Sequence, residues 1–369
     1  MRQPVFFLAC PLQRVTAITT AIATPTLRPL LQSLQTSSAP TINRNRAPSY
    51  PSTTAPHRII HNHSIHRIHA SDLPAAAAAP PPPTRAEPPR TKMPPKVNLE
   101  PLLSRHNNPK DIAEIERKVF DILQPAVSGS GSARAADVAA DIDELYSSGY
   151  AGDRAEDFLY TLWNFYIEAA KEVPVGSGDA ALAVLADVVA ELVAIEREDV
   201  EIWGKKSSIW KDLPMLGPCM RDAWNFEPKF DESKEDDKKV SQWISLNSIA
   251  ARLLGAGTQS WTNFAIWSLR ETLEIPSSNE AARDAGLGVA AQWFTHAGKR
   301  LRSETAEARE LSEQDKRSLA PGKLFSEGQS GLSEERWAFW RNRIEELSEE
   351  AGQSGKTAAE TAINALDSL

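Results

Sequence analysis

From residue 108 onward, large apolar side chains return every three to four positions, and a chain patterned this way buries its apolar surface as helices. Ile112, Ile115, Val119, Ile122 and Leu123 make one stripe, opened by Asn108 as N-cap and Pro109 at the first helical position. A weaker pattern covers about 133–147. Asp153 to Lys171 is apolar nearly all round, through Phe158, Leu159, Leu162, Trp163, Phe165, Tyr166 and Ile167, which predicts a central helix. After a break at Gly176-Ser177-Gly178, the pattern resumes from Asp179 to about Val200. There Leu182, Leu185, Val188, Val189, Leu192 and Val193 lie opposite Asp187, Glu191 and Glu198.

Four more patterns complete the chain. Their inner faces are Val240, Trp243, Ile244, Leu246, Leu253 and Leu254; Trp261, Phe264, Ala265, Trp267, Leu269 and Leu273; Ala290, Trp293, Phe294, Ala297 and Leu301; and Trp337, Trp340, Ile344 and Leu347. Ser333 caps the last, with Glu334 and Glu335 favoured by the helix dipole in its first turn. Gly286 and Gly288 fall inside the third pattern and are expected to permit close helix packing. The acidic and basic run Asp231–Lys239 reads as a solvated loop. No stretch alternates as a strand would, and no repeat has a fixed period. The expected fold is all-α, a globular bundle of about eight to ten helices with short connections.

Composition shifts sharply near residue 93. Residues 1–92 carry a net charge of +8 and 15 Pro, whereas 93–369 carry −16, and all ten Trp lie at Trp163 or later. The expected organisation is a disordered basic tail over 1–92 and a single all-α domain over 93–369. Three readings of the tail stand open: an extension upstream of a start at Met93, a mitochondrial presequence, or a functional tail. The protein is then expected in the cytoplasm or nucleus if translation starts at Met93, and in mitochondria if 1–92 is a presequence. The short apolar run Val5–Cys10 is bracketed by Pro4 and Pro11 and lacks a polybasic segment before it. The five His between His57 and His69 have no acidic or Cys ligand nearby and read as compositional bias.

Several function classes are disfavoured. Cys10 and Cys219 make no disulfide framework. No apolar run approaches the ~18 residues of a membrane span. The acidic balance of the folded part argues against nucleic-acid binding. Phosphate-cradling glycine loops and the G-x-S-x-G elbow are absent, and His106 and His296 are too few for a His-based metal site. A Cys219–His296 nucleophile pair is possible in principle, but a small buried thiol and a helix-surface imidazole explain both residues. No cofactor is expected.

One segment stands apart. Residues 207–226 are rich in Trp, Arg and Asp, and Pro214, Gly217 and Pro218 argue against a helix. Asp212, Arg221, Asp222 and Trp224 lie in it, and Arg252, Arg270, Glu274 and His296 lie on the helical patterns that follow. On one reading Arg221, Arg252 or Arg270 pairs with Asp212, Asp222 or Glu274 and locks the connector onto the bundle. On the other, these eight residues converge on a pocket for an anionic ligand or a partner's peptide.

The succession Ile209-Trp-Lys-Asp-Leu-Pro-Met-Leu-Gly-Pro-Cys-Met-Arg-Asp-Ala-Trp-Asn225 resembles the signature of a fungal family known as domain of unknown function 3632. Trp243–Leu254, Ala265–Glu274, Ala290–Gly298 and Arg336–Trp340 resemble its following helices, in order, so the likeness covers about 155–350. The resemblance implies a fungal source and a helical fold, and it supplies no catalytic or ligand residues. The expected function is that of a soluble, non-enzymatic binding or scaffold protein with a protein partner. The alternative is an enzyme or anionic-ligand binder with its pocket under the connector.

Overall fold

The computed structural model describes residues 96–103, 110–128, 134–228, 230, 237–307 and 310–369. Among these the chain forms twelve α-helices and one two-stranded antiparallel sheet. The N-terminal half holds α1 (Glu100–Leu103), α2 (Lys110–Val127), α3 (Ala135–Gly149), α4 (Ala155–Glu172) and α5 (Asp179–Val193). A hairpin of β1 (Asp199–Ile202) and β2 (Lys205–Ser208) leads into α6 (Leu216–Ala223). The C-terminal half holds α7 (Asp237–Gly255), α8 (Thr262–Leu269), α9 (Glu280–Glu307), α10 (Glu313–Ser318), α11 (Glu334–Glu349) and α12 (Gln353–Asp367).

Helix α4 lies at the centre of the first half because most of its circumference is apolar, and only the narrow stripe of Glu156, Asp157, Tyr160, Asn164 and Glu168 turns outward. Phe158, Leu159, Leu162, Trp163, Tyr166 and Ile167 are all essentially inaccessible, each side chain contributing about 1.5–3 kcal/mol by burial. Helices α2, α6 and α7 pack around it. Helix α7 links the halves, packing on α4 and α5 on one side and on α9 on the other, while α12 covers the far face of α9. Two glycines set the α7–α9 spacing. A Cβ on Gly255 would stand 1.9 Å from the His296 carbonyl oxygen, and one on Gly288 would stand 2.9 Å from Ile244 Cδ1. Gly286 likewise approaches Thr272, so both glycines of the 285–288 stretch serve close packing as expected. Ser333 caps α11 through the Arg336 N–H, at 3.2 Å.

The helical class holds, with four differences in detail. The pattern begun at Asp179 ends at Val193, and the chain then turns into the β1–β2 hairpin, four residues per strand, too short for alternation to stand out. Residues 216–223 are helical despite Gly217 and Pro218, because Pro needs no N–H partner in a first turn. Asp237–Lys239 form the first turn of α7 and not a loop. Helix α12 carries no large apolar stripe: it buries Gly355, Ala359 and Ala362 against its neighbours, a signal too faint for periodicity. The Asn108–Pro109 cap, His106, residues 231–236 and the tail 1–92 lie outside the described residues. No described helix is long and apolar enough to cross a membrane.

Candidate functional site

The connector is a clasp built on two indoles. Trp210 is fully buried and its Nε1 donates to Asp143 Oδ1 of α3 at 2.7 Å. Trp163 Nε1 of α4 donates to the Pro214 carbonyl at 3.0 Å. Arg197, just before β1, grips the same Asp143 with Nε at 2.9 Å to Oδ1 and with Nη2 on Oδ2. The Arg197 guanidinium, aided by the Trp210 indole, holds the Asp143 carboxyl below the usual carboxylate range despite its burial. Leu213 and Met215 sit at positive φ, a strained backbone that their burial in the clasp holds in place.

The eight candidate residues do not converge. Asp212 is exposed and accepts from the Ser208 N–H at 2.8 Å, closing the end of the hairpin. Arg221 is exposed, with its guanidinium 5.6 Å from the Trp267 ring centroid. Asp222 is exposed as well. Trp224 is half-buried, 4.4 Å from Phe264 and 5.3 Å from Trp243 between ring centroids. Arg252 pairs with Asp179 at 3.1 Å, and its charge adds to burial in bringing the half-buried His296 imidazole down to about 4. Arg221, Trp224 and Arg270 gather around α8, Arg252 and His296 share the α7–α9 contact, and Asp212 belongs to the hairpin. The groove that Arg221 does line is bordered by Pro218, Trp261, Asn263 and Phe264, without Asp212 or His296. Cys219 is a buried thiol pushed up to about 12 by desolvation and by the charge of Asp222, which suits a packing role.

None of the expected ion pairs within the cluster forms, because other partners are nearer. After α8 the backbone widens into a π turn, Arg270–Glu274. Arg270 Nη1 donates to the carbonyls of Ser318 and Ala320 at 3.1 and 3.2 Å. Glu274 is wholly buried and accepts from Arg336 Nε at 2.7 Å, Arg336 Nη2 at 3.0 Å, Trp340 Nε1 at 2.7 Å and the Gly322 N–H at 2.6 Å. Arg336, equally buried, spends Nη1 on the carbonyls of Leu319 and Gly331. Gly322 fits only as glycine, since a Cβ would stand 2.6 Å from that of Glu274. Arg270 and Glu274 therefore pin α11 and the 318–322 loop to the core.

A different surface carries unsatisfied chemistry. Trp203 is 63% exposed, alone among the ten Trp in facing water, and forms the hairpin tip with Gly204. Both stand at positive φ, 51° and 72°, the left-handed pair of a tight two-residue turn. Glycine suits that backbone and a tryptophan strains it. The tip is held by the Trp203 N–H donating to Glu156 Oε1 at 2.9 Å. Beside it, between the hairpin and the α3–α4 turn, runs a groove of about 1200 Å³. Six carboxylates line it, among them Asp153, Glu196, Glu198 and Glu201, against the single guanidinium of Arg197. Asp199 pairs with Lys206 and Glu156 holds the tip, whereas those four make no ion pair among the described residues. In the sequence, the turn signal was Trp203-Gly204, preceded by the acidic run Glu196–Glu201 and followed by the Lys-rich start of β2. Among the described residues no group of three or more His, Cys, Asp or Glu is placed to hold a metal ion.

Residues 163–344 match the model of a family described as protein of unknown function (DUF3632). No curated protein and no solved structure matches the chain.

Proposed function

For a chain that matches the DUF3632 family model over residues 163–344, we propose a non-catalytic binding role, with the hairpin and its groove as the face that meets a protein partner. One observation carries the reading: a large indole is displayed to water on a backbone that disfavours it, on a tip tethered to α4. Strain of this kind is retained where the side chain has work outside the fold. Tryptophan is the residue most enriched among the anchors of protein interfaces. The buried polar residues that a catalytic reading would need are already engaged: Glu274 with Arg336, and Arg270 with loop carbonyls. The carboxylate-lined groove also disfavours a nucleic-acid ligand, whose phosphates it would repel.

The test is site-specific photo-crosslinking in the native cell. A photoreactive phenylalanine analogue replaces Trp203, and in a second protein it replaces the exposed Leu324 as control. The expected result is a discrete protein adduct from position 203 and none from 324. The same adducts from both positions, or none from 203, would overturn the reading.

A further inference from the structure

The open edge of β1 is the second feature of this surface, and it faces the groove. In a two-stranded antiparallel ladder closed by a two-residue turn, the pairs Ile202–Lys205 and Val200–Ser207 exchange the ladder hydrogen bonds. The main-chain N–H and C=O of Asp199 and Glu201 therefore point away from β2. Ser208, opposite Asp199, confirms the register, since its own N–H points outward to Asp212. No hydrogen bond from the outward groups of Asp199 or Glu201 is made among the described residues. The groove is lined by β1 and the residues leading into it, from Glu196 to Glu201, and not by β2. Across it stand Asp153 and Glu156 at the start of α4.

Resting on the binding role given above, we propose that the occupant of this groove is an extended, Lys/Arg-rich segment of a partner protein, which adds as a third strand to the free edge of β1. Strand addition uses main-chain bonds for affinity and alternate side chains for specificity. Asp199 and Glu201 project on the exposed face of β1, whereas Val200 and Ile202 project inward. Cationic side chains on every second position of the incoming strand then lie beside Glu201 and within reach of Glu198 and Asp153, where cross-strand opposite charges favour pairing. Its intervening side chains meet the Tyr146 wall of the groove. An acidic or phosphorylated segment meets repulsion at the same positions. A helical segment leaves the edge bonds of β1 unmade.

The test uses fluorescence polarisation with the full chain and three labelled octapeptides. One alternates lysine with valine and threonine. The second is identical but N-methylated at alternate backbone positions, which removes donors and keeps charge. The third replaces every lysine by glutamate. The first is expected to bind, the second at least tenfold more weakly, and the third not measurably. Two variants separate main chain from charge at one position. Glu201→Gln removes the carboxylate, and Glu201→Pro also removes the outward N–H while sparing the ladder to β2. Proline is expected to weaken binding at least a further fivefold beyond glutamine, with an unchanged circular dichroism spectrum. Equal binding of the methylated and unmethylated peptides would overturn strand addition, and equal binding of the acidic peptide would overturn the charge preference. If Glu201→Pro disturbs the fold, the methylated peptide against the unaltered protein still decides. A position-203 adduct without binding of the basic peptide would refute this inference and leave the binding role standing. Loss of both would remove both.

Discussion

At the residue scale, Glu274 and Arg336 are the pair on which the C-terminal half depends most. Both are wholly buried, and every polar atom described above has a partner. Removing one charge leaves the other stranded in the core, so Glu274→Gln is expected to cost about 3–5 kcal/mol in urea unfolding. Glu274→Leu combined with Arg336→Leu should cost less than either single change, and a single-variant loss under 1 kcal/mol would contradict the assignment. Trp224 differs from what its place in the connector suggests. Half-buried between Trp243 and Phe264, it should lose about 2 kcal/mol on Trp224→Ala, while the fully buried Trp210 loses about 3–5 kcal/mol by the same change. His296 contributes a pH dependence. The unfolded imidazole takes up its proton near 6.5 and the folded one only near 4, so the unfolded chain binds more protons between those values. Stability therefore falls as pH drops from 6.5 to 4, by up to about 3 kcal/mol. Compared with the parent, His296→Gln should show a flatter thermal-midpoint profile over that window.

At the scale of elements, two contacts decide how helices meet. The α7–α9 approach rests on Gly255, whose hydrogen faces the His296 carbonyl. Gly255→Ala must push the helices apart, at a cost of about 1–3 kcal/mol, read as a lowered denaturation midpoint. The hairpin presents the opposite case. Trp203 at φ 51° holds a conformation that asparagine or glycine adopts more readily. Trp203→Asn is expected to leave stability unchanged or raise it by up to about 1 kcal/mol while abolishing the position's contact with a partner. A marked fall in melting temperature would show that the indole serves the fold instead. Both elements have sequence signals that are short: one glycine in a helical run, and one Trp-Gly pair between an acidic run and two lysines. Their meaning depends on what stands opposite, and that lies 41 residues away for Gly255 and 47 for the Trp203 tether to Glu156.

For the molecule as a whole, one hydrophobic cluster runs from Val97 near the start of the described residues to Ala362 in α12. The all-α class, the central place of α4 and the faces of α5, α7, α9 and α11 were legible in the chain, because helix formation and burial follow a period of 3.6 residues and need no distant information. Ser333 as a cap and the packing role of Gly286 and Gly288 were legible for the same local reason. The site was not. The Trp-rich connector drew attention through composition, yet its Trp210 indole bonds inward to Asp143, its Pro214 carbonyl accepts from Trp163 of α4, and its Asp212 and Asp222 stay exposed. The partners of Arg252, Arg270 and Glu274 could not be chosen in advance, since any of several carboxylates or carbonyls was chemically suitable and only proximity selects among them. Sequence determined by itself the helical class and the buried faces of the strongly patterned helices, since both are set by neighbours a few positions apart. Tertiary structure alone decided which charge meets which, how near two helices come, and that the edge of β1 and four carboxylates with no ion pair among the described residues line one groove beside the Trp203–Gly204 tip. Those outcomes depend on distances between residues far apart in the chain, which local chemistry does not fix.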